Sequence, residues 1–365
     1  MSRARIETIL TLVAAGMITA LLARYGNRLL DKVDSNYGWR PNPEGVAEFL
    51  QELDAPYFAQ AAADAMEKVE KKDTFLYRAV QHAHKARYGK PFVVGRQGIG
   101  DCIAWGAAAA VYTSESVSYE LGNLPEPPLM PVEESIYGGS RVEARGRDGN
   151  GNSPVGGYSD GSYGGAAARW LRDWGVVYRQ AYPDLGYDLT SYSAARAKEY
   201  GAYGNGGQGD RGRLDALARK HPARHVAAVR TWDELAAAIT AGFPVTVASN
   251  QGFASVTDTS GILAPSGVWM HQMAVVGIRF RENTPPGKRA VDAALLANSW
   301  GTSWLQYTGR YPDDQPAGYF WAERHVIERM LAQGDSYAIG DIKTGFKWRD
   351  IHHGDWLQPQ PESDQ

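Results

Sequence analysis

The apolar positions of this chain follow a helical spacing in its first half and an extended spacing in its second half. Between residues 42 and 88 they recur every three or four positions, which predicts two or three amphipathic helices with a break at Pro56. The alanine-rich stretch that follows predicts a long helix from Asp101 to about Leu121, with the Asp101 carboxylate as its N-cap. A shorter helix, AAARWLRDW, is predicted to end at Gly175.

Strand-like patterns dominate after these helices. The segment TWDELAAAITAGFPVTVASN predicts a helix, a glycine stop and then a strand, and HQMAVVGIRF and RAVDAALLANSW predict two more strands. The glycine-rich stretch 137–165 is predicted to be loop. Within it Asp148, Asn150 and Asn152 alternate as in a calcium loop, but Ser159 stands where that loop needs a glutamate. We interpret them as turn residues.

The two ends of the chain are predicted to differ from the rest. Residues 8–23 are uncharged and flanked by arginines, but they fall short of the roughly 20 residues that a bilayer span needs. They are interpreted either as a short membrane anchor or uncleaved signal, or as a helix buried against the protein or a partner. The tail from Trp348, with His352 and His353, is predicted to be frayed or partner-bound.

The composition is that of an ordinary globular protein. Of 365 residues, 44% are hydrophobic and 22% are charged, which is enough for one or two cores. The formal net charge of -3 gives no basis for a nucleic-acid partner. A single cysteine permits no internal disulfide, which favours a reducing, cytoplasmic compartment.

That cysteine, Cys102, stands where the loop GRQGIGD becomes the predicted long helix. A helix N-terminus and a nearby imidazolium lower the pKa of a thiol and make it a nucleophile. His271 on a predicted strand supplies an imidazole, and Asn298 in NSWG supplies an amide that can hold one tautomer. The alternative is structural: a buried small cysteine, a core histidine and a turn asparagine.

These motifs resemble those of the papain-like cysteine peptidases, in that family's order. A glutamine upstream, a cysteine opening a long helix, HxxAxxG on a strand and NSWGTSW carry the resemblance, which spans about residues 92–321. The segments DGSYGGAAARWLRDWGVVYRQAYP and AGFPVTVASNQGF add to it. The resemblance implies an α+β fold of two lobes with an N-terminal helical extension. One lobe is helical around Cys102, the other is a twisted antiparallel sheet carrying His271 and Asn298, and the cleft lies between them.

The resemblance also implies roles for individual residues. Cys102 would be the nucleophile, His271 its acid and base, and Asn298 the residue that orients the histidine. Gln97 would donate to the oxyanion, and Trp300 would cover the amide–imidazole hydrogen bond. The positions implied to lie beside bound substrate are Gly161, Ser162, Tyr163, Ala248, Gln272 and Trp300. The substrate implied is a peptide or protein, with no metal and no cofactor.

Several positions depart from the family pattern. Gln97 precedes Cys102 by five residues, one fewer than usual, so its loop must be reshaped or another donor must serve. Ile103 replaces a tryptophan, which is a packing change. Ser162 replaces a glycine and Gln272 replaces a small residue, and both changes are expected to narrow access for the substrate.

From these features we predict an N-terminal hydrophobic segment and helical extension (1–90), a peptidase domain (91–345) and a C-terminal tail (346–365). The extension, with a predicted helix from Glu44 to about Lys72, is interpreted either as a cover that reaches across the cleft and keeps Cys102 latent or as a brace of the mature domain. The brace is favoured, because the family's prodomain pattern is missing. The predicted function is thiol-dependent hydrolysis of peptide bonds or related amides, such as peptidoglycan stem peptides or isopeptides. The alternative is a structural or binding module of a larger assembly, with the cleft closed. Residues 8–23 would supply a membrane or assembly contact.

Overall fold

The computed structural model describes residues 37–144, 160–209, 212–341 and 343–351. The hydrophobic stretch 8–23, the run containing Asp148, Asn150 and Asn152, and the tail residues His352 and His353 lie outside these ranges. Among the described residues, no helix is both long and apolar enough to cross a bilayer. The described residues all belong to one compact unit.

Helices dominate the first half of the described chain, as the spacing of apolar residues predicts. In chain order they are α1 (Pro43–Gln51), α2 (Phe58–Ala61), α3 (Ala63–Glu67), α4 (Tyr77–Tyr88), α5 (Cys102–Glu120), α6 (Glu133–Arg141), α7 (Gly164–Asp173), α8 (Ala194–Tyr203), α9 (Arg213–Ala218), α10 (Trp232–Thr240) and α11 (Arg324–Leu331).

Strands follow mainly in the second half. They are β1 (Thr74–Phe75), β2 (Ala181–Tyr182), β3 (Tyr187–Asp188), β4 (Val226–Ala228), β5 (Val245–Thr257), β6 (Leu263–Arg279), β7 (Ala293–Ala297), β8 (Phe320–Glu323) and β9 (Asp335–Ile339). A seven-stranded sheet has the order β4-β9-β5-β6-β7-β8, with β1 paired to β6 outside that path. Its strand pairs are antiparallel. The pair β2–β3 stands apart as a short hairpin.

Helix α5 lies between the helical lobe and the sheet. It packs on α4, α6 and α7 and also on β6. Its alanines and Gly106 allow this close approach, since a Cβ on Gly106 would lie 3.0 Å from the Gln272 side chain. The N-terminus of α5, which begins with Cys102, therefore lies where the helical lobe meets the sheet.

The predicted helix stops are confirmed, but two other local predictions are wrong. Gly175 and Gly242 follow α7 and α10 with φ values of +103° and +85°. Asp101 precedes α5, yet its carboxylate makes no capping bond and accepts instead from the Tyr192 hydroxyl at 2.8 Å. The predicted loop 137–165 begins as helix α6, because its glycines serve close packing: a Cβ on Gly139 would lie 2.1 Å from Trp170.

The chain before the long helix contributes to the core. Phe49, Phe58 and Leu76 are fully buried. Strand β1 extends the sheet, with Thr74 opposite Ile278 of β6. Residues 43–88 thus complete both the core and the sheet.

Candidate active site

Cys102 is the first residue of α5 and has no exposed surface. Burial raises the pKa of its thiol to about 12, and the neighbouring Asp101 carboxyl acts in the same direction. The backbone N–H groups of Gln272, Gly38 and Ile103 hydrogen-bond the sulfur and act in the opposite direction. In this conformation the thiol is protonated near neutral pH.

His271 and Asn298 meet because of strand register. Strands β6 and β7 run antiparallel with Ala274 opposite Ala297, so the residues before Ala274 and after Ala297 lie side by side. His271 Nε2 lies 2.8 Å from Asn298 Oδ1. An amide oxygen only accepts, so Nε2 carries the proton and the neutral imidazole has its lone pair on Nδ1.

Trp300 shields this pair. Its ring centroid lies 4.8 Å from that of His271, and the Trp269 ring packs against it at a tilt, with centroids 4.6 Å apart. Trp300 is only 9% exposed. Water is thereby kept from competing for the histidine–asparagine hydrogen bond, as the sequence predicts for this position.

Gln97 lies beside the loop that follows strand β7, and its hydrogen-bond partners differ from those expected. Its amide nitrogen donates to the Ile99 carbonyl at 2.9 Å, and its amide oxygen accepts from Ser299 Oγ at 2.6 Å. Its backbone N–H also donates to the Ser299 carbonyl. Gln97 therefore ties the loop before Cys102 to the loop after Asn298, and its role as an oxyanion donor stays a prediction.

The cleft between the lobes is filled by the chain itself. We call residues 37–40 the cleft segment. The backbone N–H groups of Gly38 and Trp39 donate to the Met270 carbonyl, and Ser162 N–H donates to the Gly38 carbonyl, all at 2.9 Å. Arg40 N–H returns to the Ser162 carbonyl at 2.8 Å, so the segment and Ser162 pair in parallel. Ser162, implied by the resemblance to lie beside bound substrate, pairs here with the cleft segment.

Gly38 is the residue of this segment that covers the thiol. A Cβ at this position would lie 1.9 Å from the Gly100 carbonyl oxygen, so no other residue fits without displacing backbone. The Gly38 backbone is among the groups that lower the pKa of the Cys102 thiol, so it lies beside the sulfur. The backbone of the cleft segment therefore covers the thiol.

The remaining predicted positions surround the cleft segment. Gly161 has a φ of +97°, and a Cβ there would lie 2.5 Å from the Gly38 carbonyl oxygen. Tyr163 immediately precedes α7. Gln272 Nε2 donates to the Ile103 carbonyl at 2.8 Å, which links β6 to α5. Ala248 of β5 lies opposite Gln272 in the sheet.

Sequence reasoning missed two features of this site. Asp335 at the start of β9 accepts a hydrogen bond from the Trp39 indole at 2.8 Å. The segment 37–40 precedes the predicted helices and carries no motif that the site's chemistry requires. Two sequence signals could have indicated these features: an acidic residue at the start of an apolar strand, and the adjacent Gly38 and Trp39. Each signal is weak alone. Across the described ranges, no group of three or more His, Cys, Asp and Glu side chains is placed to hold a metal ion.

Comparison with known proteins bears on the fold. No family model matches the chain, and no curated protein sequence matches it. Xylellain, a cysteine protease from Xylella fastidiosa, matches with a TM-score of 0.51 at 18% identity, over 85% of this chain and 97% of its own. Digestive procathepsin L 3 from the larval midgut of Tenebrio molitor matches with a TM-score of 0.44 at 18% identity, over 93% of each chain.

The match to xylellain and the observed lobes define the class of fold. The chain has a papain-like α+β fold, in which the N-terminus of α5 packs against strand β6, the strand that carries His271. Its solved structural neighbour xylellain is a cysteine protease. At this level of identity the likeness concerns the fold alone.

Proposed function

We propose that this chain is a thiol-dependent peptidase, with Cys102 as nucleophile, His271 as acid and base, and Asn298 as the residue that orients His271. The observation that carries the proposal is the shielded 2.8 Å hydrogen bond from His271 Nε2 to Asn298 Oδ1. A histidine that only fills the core needs no orienting asparagine. Here the histidine–asparagine pair lies near the N-terminus of α5, which begins with the chain's one cysteine. The combination is the one that nucleophilic catalysis requires.

The proposed chemistry proceeds through an acyl-enzyme. The Cys102 proton passes to His271 Nδ1 as the sulfur bonds to the substrate carbonyl carbon, and the resulting oxyanion accepts from the Cys102 backbone N–H. The imidazolium then returns a proton to the nitrogen as the C–N bond breaks, leaving a thioester. Water, deprotonated by His271, hydrolyses the thioester and restores the thiol. Gln97 joins the oxyanion site only if its amide turns away from Ile99.

We further propose that the described conformation is a latent form. The cleft segment occupies the path of a peptide substrate and leaves Cys102 without exposed surface. The N-terminal extension would then have two parts, a covering segment at 37–40 and a brace formed by residues 43–88.

A second candidate, a papain-like scaffold without activity, is favoured by the same burial. A thiol with a pKa of about 12 is not a nucleophile near neutral pH. The two candidates differ in what happens when the cleft segment is displaced.

The deciding experiment uses full-length protein carrying Gly38→Ala, which displaces the segment through its clash with Gly100. A mixture of peptides, isopeptides and peptidoglycan stem peptides is incubated with it, and products are identified by mass spectrometry. Cleavage by Gly38→Ala, and none by the matched Gly38→Ala/Cys102→Ala protein, supports the peptidase. A folded Gly38→Ala protein with an accessible thiol and no cleavage of any substrate class favours the scaffold.

A further inference from the structure

The loop 98–101, which immediately precedes Cys102, is held by a tyrosine from a distant part of the chain. The Tyr192 hydroxyl accepts a hydrogen bond from the Gly98 N–H at 3.1 Å and donates one to Asp101 Oδ2 at 2.8 Å. Gly98 and Asp101 are the first and last residues of the loop. One hydroxyl group therefore joins both of its ends.

The Tyr192 ring is itself fixed in the helical lobe. Its centroid lies 5.0 Å from that of Trp105 on α5, with the rings edge to face. Tyr192 also lies two residues before helix α8. A Cβ on Gly98 would lie 2.8 Å from the Cβ of Ala194, the first residue of that helix, so the loop packs closely against the start of α8. The packed ring holds the hydroxyl at this contact.

The peptide group between Asp101 and Cys102 is the part of the loop that bears on the proposed chemistry. The Asp101 carbonyl accepts from the N–H groups of Ala104 and Trp105 at 2.9 and 3.3 Å, as in the first turn of a helix. In a trans peptide the N–H points away from the carbonyl, so the Cys102 N–H points out of the N-terminus of α5. That N–H is the donor proposed for the oxyanion.

Asp101 connects the Tyr192 hydroxyl to this peptide group. Asp101 has no exposed surface, and its own N–H donates to the Ile99 carbonyl at 2.8 Å. The residue is thus held at its side chain, its N–H and its carbonyl. The Cys102 N–H that follows is therefore oriented before any substrate arrives, which is the condition for effective stabilisation of a developing charge.

A separate anchor holds the middle of the loop. The Gly100 N–H donates to Asp160 Oδ2 at 3.0 Å, and the Tyr137 hydroxyl donates to Asp160 Oδ1 at 2.7 Å. Loss of the Tyr192 hydroxyl should therefore loosen the two ends of the loop without releasing it.

We infer that Tyr192 is a positioning residue for the proposed reaction, which acts through Asp101 to fix the Cys102 N–H that stabilises the oxyanion. The reaction rests on the proposed function, whereas the orientation of the N–H does not. Within the described ranges, the hydrogen bonds and ring contact of Tyr192 involve the loop and Trp105, not the cleft segment. Its hydroxyl should therefore affect the chemical step more than substrate binding.

The orientation is tested by adding Tyr192→Phe to full-length Gly38→Ala protein, the parent, in which Cys102 is expected to be accessible. The probe is N-acetylglycinal, an aldehyde without a side chain. The sulfur bonds to the aldehyde carbon as the C=O π bond opens, and the thiol proton passes through His271 to the oxygen, which gives a hemithioacetal. Its oxygen occupies the position of the oxyanion. Protection of Cys102 from iodoacetamide measures the affinity.

We expect Tyr192→Phe to weaken aldehyde binding about tenfold, the effect of one hydrogen bond on the alignment of the donor. Alkylation by iodoacetamide displaces iodide and forms no oxyanion, so it should not slow. Burial raises the pKa of the Asp101 carboxyl, and the Tyr192 hydrogen bond acts in the opposite direction. Burial and then the charge of Asp101 raise the pKa of the Cys102 thiol. Losing the hydroxyl favours neutral Asp101 and leaves alkylation as fast or faster.

Tyr182→Phe is the matched control, because the Tyr182 hydroxyl donates a hydrogen bond of 2.9 Å to the Tyr178 carbonyl, in the separate β2–β3 hairpin region. It should bind the aldehyde like the parent. Equal affinities in the parent and Tyr192→Phe would overturn the inference. So would parallel losses of aldehyde binding and alkylation, or no aldehyde binding by the folded parent.

A second pair of variants decides if Tyr192→Phe fails to fold. Asp101→Asn keeps an acceptor for the Tyr192 hydroxyl and should bind the aldehyde like the parent. Asp101→Ala removes the acceptor and should bind it about as weakly as expected for Tyr192→Phe. Equal affinities of the two Asp101 variants would overturn the inference.

Peptide hydrolysis separates this inference from the peptidase proposal. In the Gly38→Ala background, Tyr192→Phe should lower kcat about tenfold with little change in KM, because the aligned donor acts in the transition state. Hydrolysis at an unchanged kcat overturns the inference and leaves the peptidase proposal standing. Weaker aldehyde binding by Tyr192→Phe, without hydrolysis by any variant, overturns the peptidase proposal and supports the role of Tyr192.

Discussion

Gly38 and Cys102 lie at the centre of the site, and the absence of a side chain on Gly38 keeps the thiol covered. Gly38 fits under the Gly100 carbonyl only because it has no Cβ, and this fit places its backbone beside the sulfur. A single methyl group at this position is therefore expected to change the accessibility of Cys102 without altering the residues proposed for catalysis.

We expect Gly38→Ala to raise the rate of Cys102 alkylation by iodoacetamide at least about tenfold, because displacing the segment restores solvent and lowers the thiol pKa. Mass spectrometry after brief treatment near neutral pH measures it. The wild-type protein should be modified only after denaturation. Gly122→Asn, at a left-handed position with open space around it, is the control and should behave like wild type. Fast modification of folded wild-type protein would mean that the segment does not cover the thiol.

We expect Asn298→Ala, in the Gly38→Ala background, to lower peptide turnover less than Cys102→Ala or His271→Ala. Asn298 orients the base and transfers no proton, so its loss leaves the chemistry possible but poorly aligned. Initial rates on one peptide substrate give the order. Equal and complete loss in all three, with folding intact by circular dichroism, would assign Asn298 to holding the loop together.

Sequence motifs predicted the partners that local pattern can specify. His271 lies within β6, Asn298 and Trp300 follow β7, and the three side chains meet as expected. The hydrogen bond from Ser299 to Gln97 and the one from Trp39 to Asp335 were not predictable, because each joins residues far apart in the chain. The Asp101 cap failed for the same reason, since Tyr192 holds that carboxylate.

At the scale of elements, helix α5 carries a buried acid in its interior. Glu115 accepts a hydrogen bond from the Tyr178 hydroxyl, and burial raises the pKa of its carboxyl to about 8. The nearby Asp341 acts in the same direction. A carboxyl whose pKa is higher in the folded state takes up a proton on folding between pH 4.5 and about 8. Its contribution to stability is therefore full below that window and is lost as pH rises through it.

We expect Glu115→Gln to gain stability relative to wild type as pH rises through that window, by up to about 1.4 kcal/mol per pH unit. Glutamine keeps the acceptor for Tyr178 and removes the charge. Urea unfolding at a series of pH values measures the difference. Glu328→Gln, at a partly exposed ion pair, is the control and should show no such trend. A constant difference between Glu115→Gln and wild type would mean that Glu115 ionises normally.

Most elements follow from sequence period and end signals. Helix α10 has Thr231 and Glu234 as a capping box, and the predicted strands β5, β6 and β7 all form. Helix α6 was mistaken for loop because glycines that break isolated helices also allow helices to pack closely. Only the tertiary partner, here Trp170, distinguishes the two uses.

For the whole molecule, the extension before Cys102 divides at Pro41. Residues 37–40 lie in the cleft, whereas the chain from Pro43 onward supplies Phe49, Phe58 and Leu76 to the core. This division supports both ideas raised by the sequence, a cover and a brace, for different parts of one segment.

We expect protein comprising residues 41–365 to be soluble and folded with a reactive Cys102, and residues 92–365 to aggregate. The longer deletion removes strand β1 and buried core side chains that include Phe49, Phe58 and Leu76, which exposes a sheet edge and apolar surface. Size-exclusion chromatography and alkylation distinguish the products. A soluble and more active 92–365 protein would contradict the brace and make the entire extension a removable inhibitor.

The short link between cover and brace has a kinetic consequence. Arg40 is followed by Pro41 and then by Asn42, whose side chain caps helix α1, so the cleft segment is tied to the folded body by a single exposed residue. A tethered competitor acts at an effective concentration set by its tether, on the order of millimolar or more, whatever the dilution of the protein. Substrate must compete with this internal ligand at every encounter. Diluting the protein cannot relieve the inhibition, whereas one cut at the link converts it into an ordinary bimolecular equilibrium.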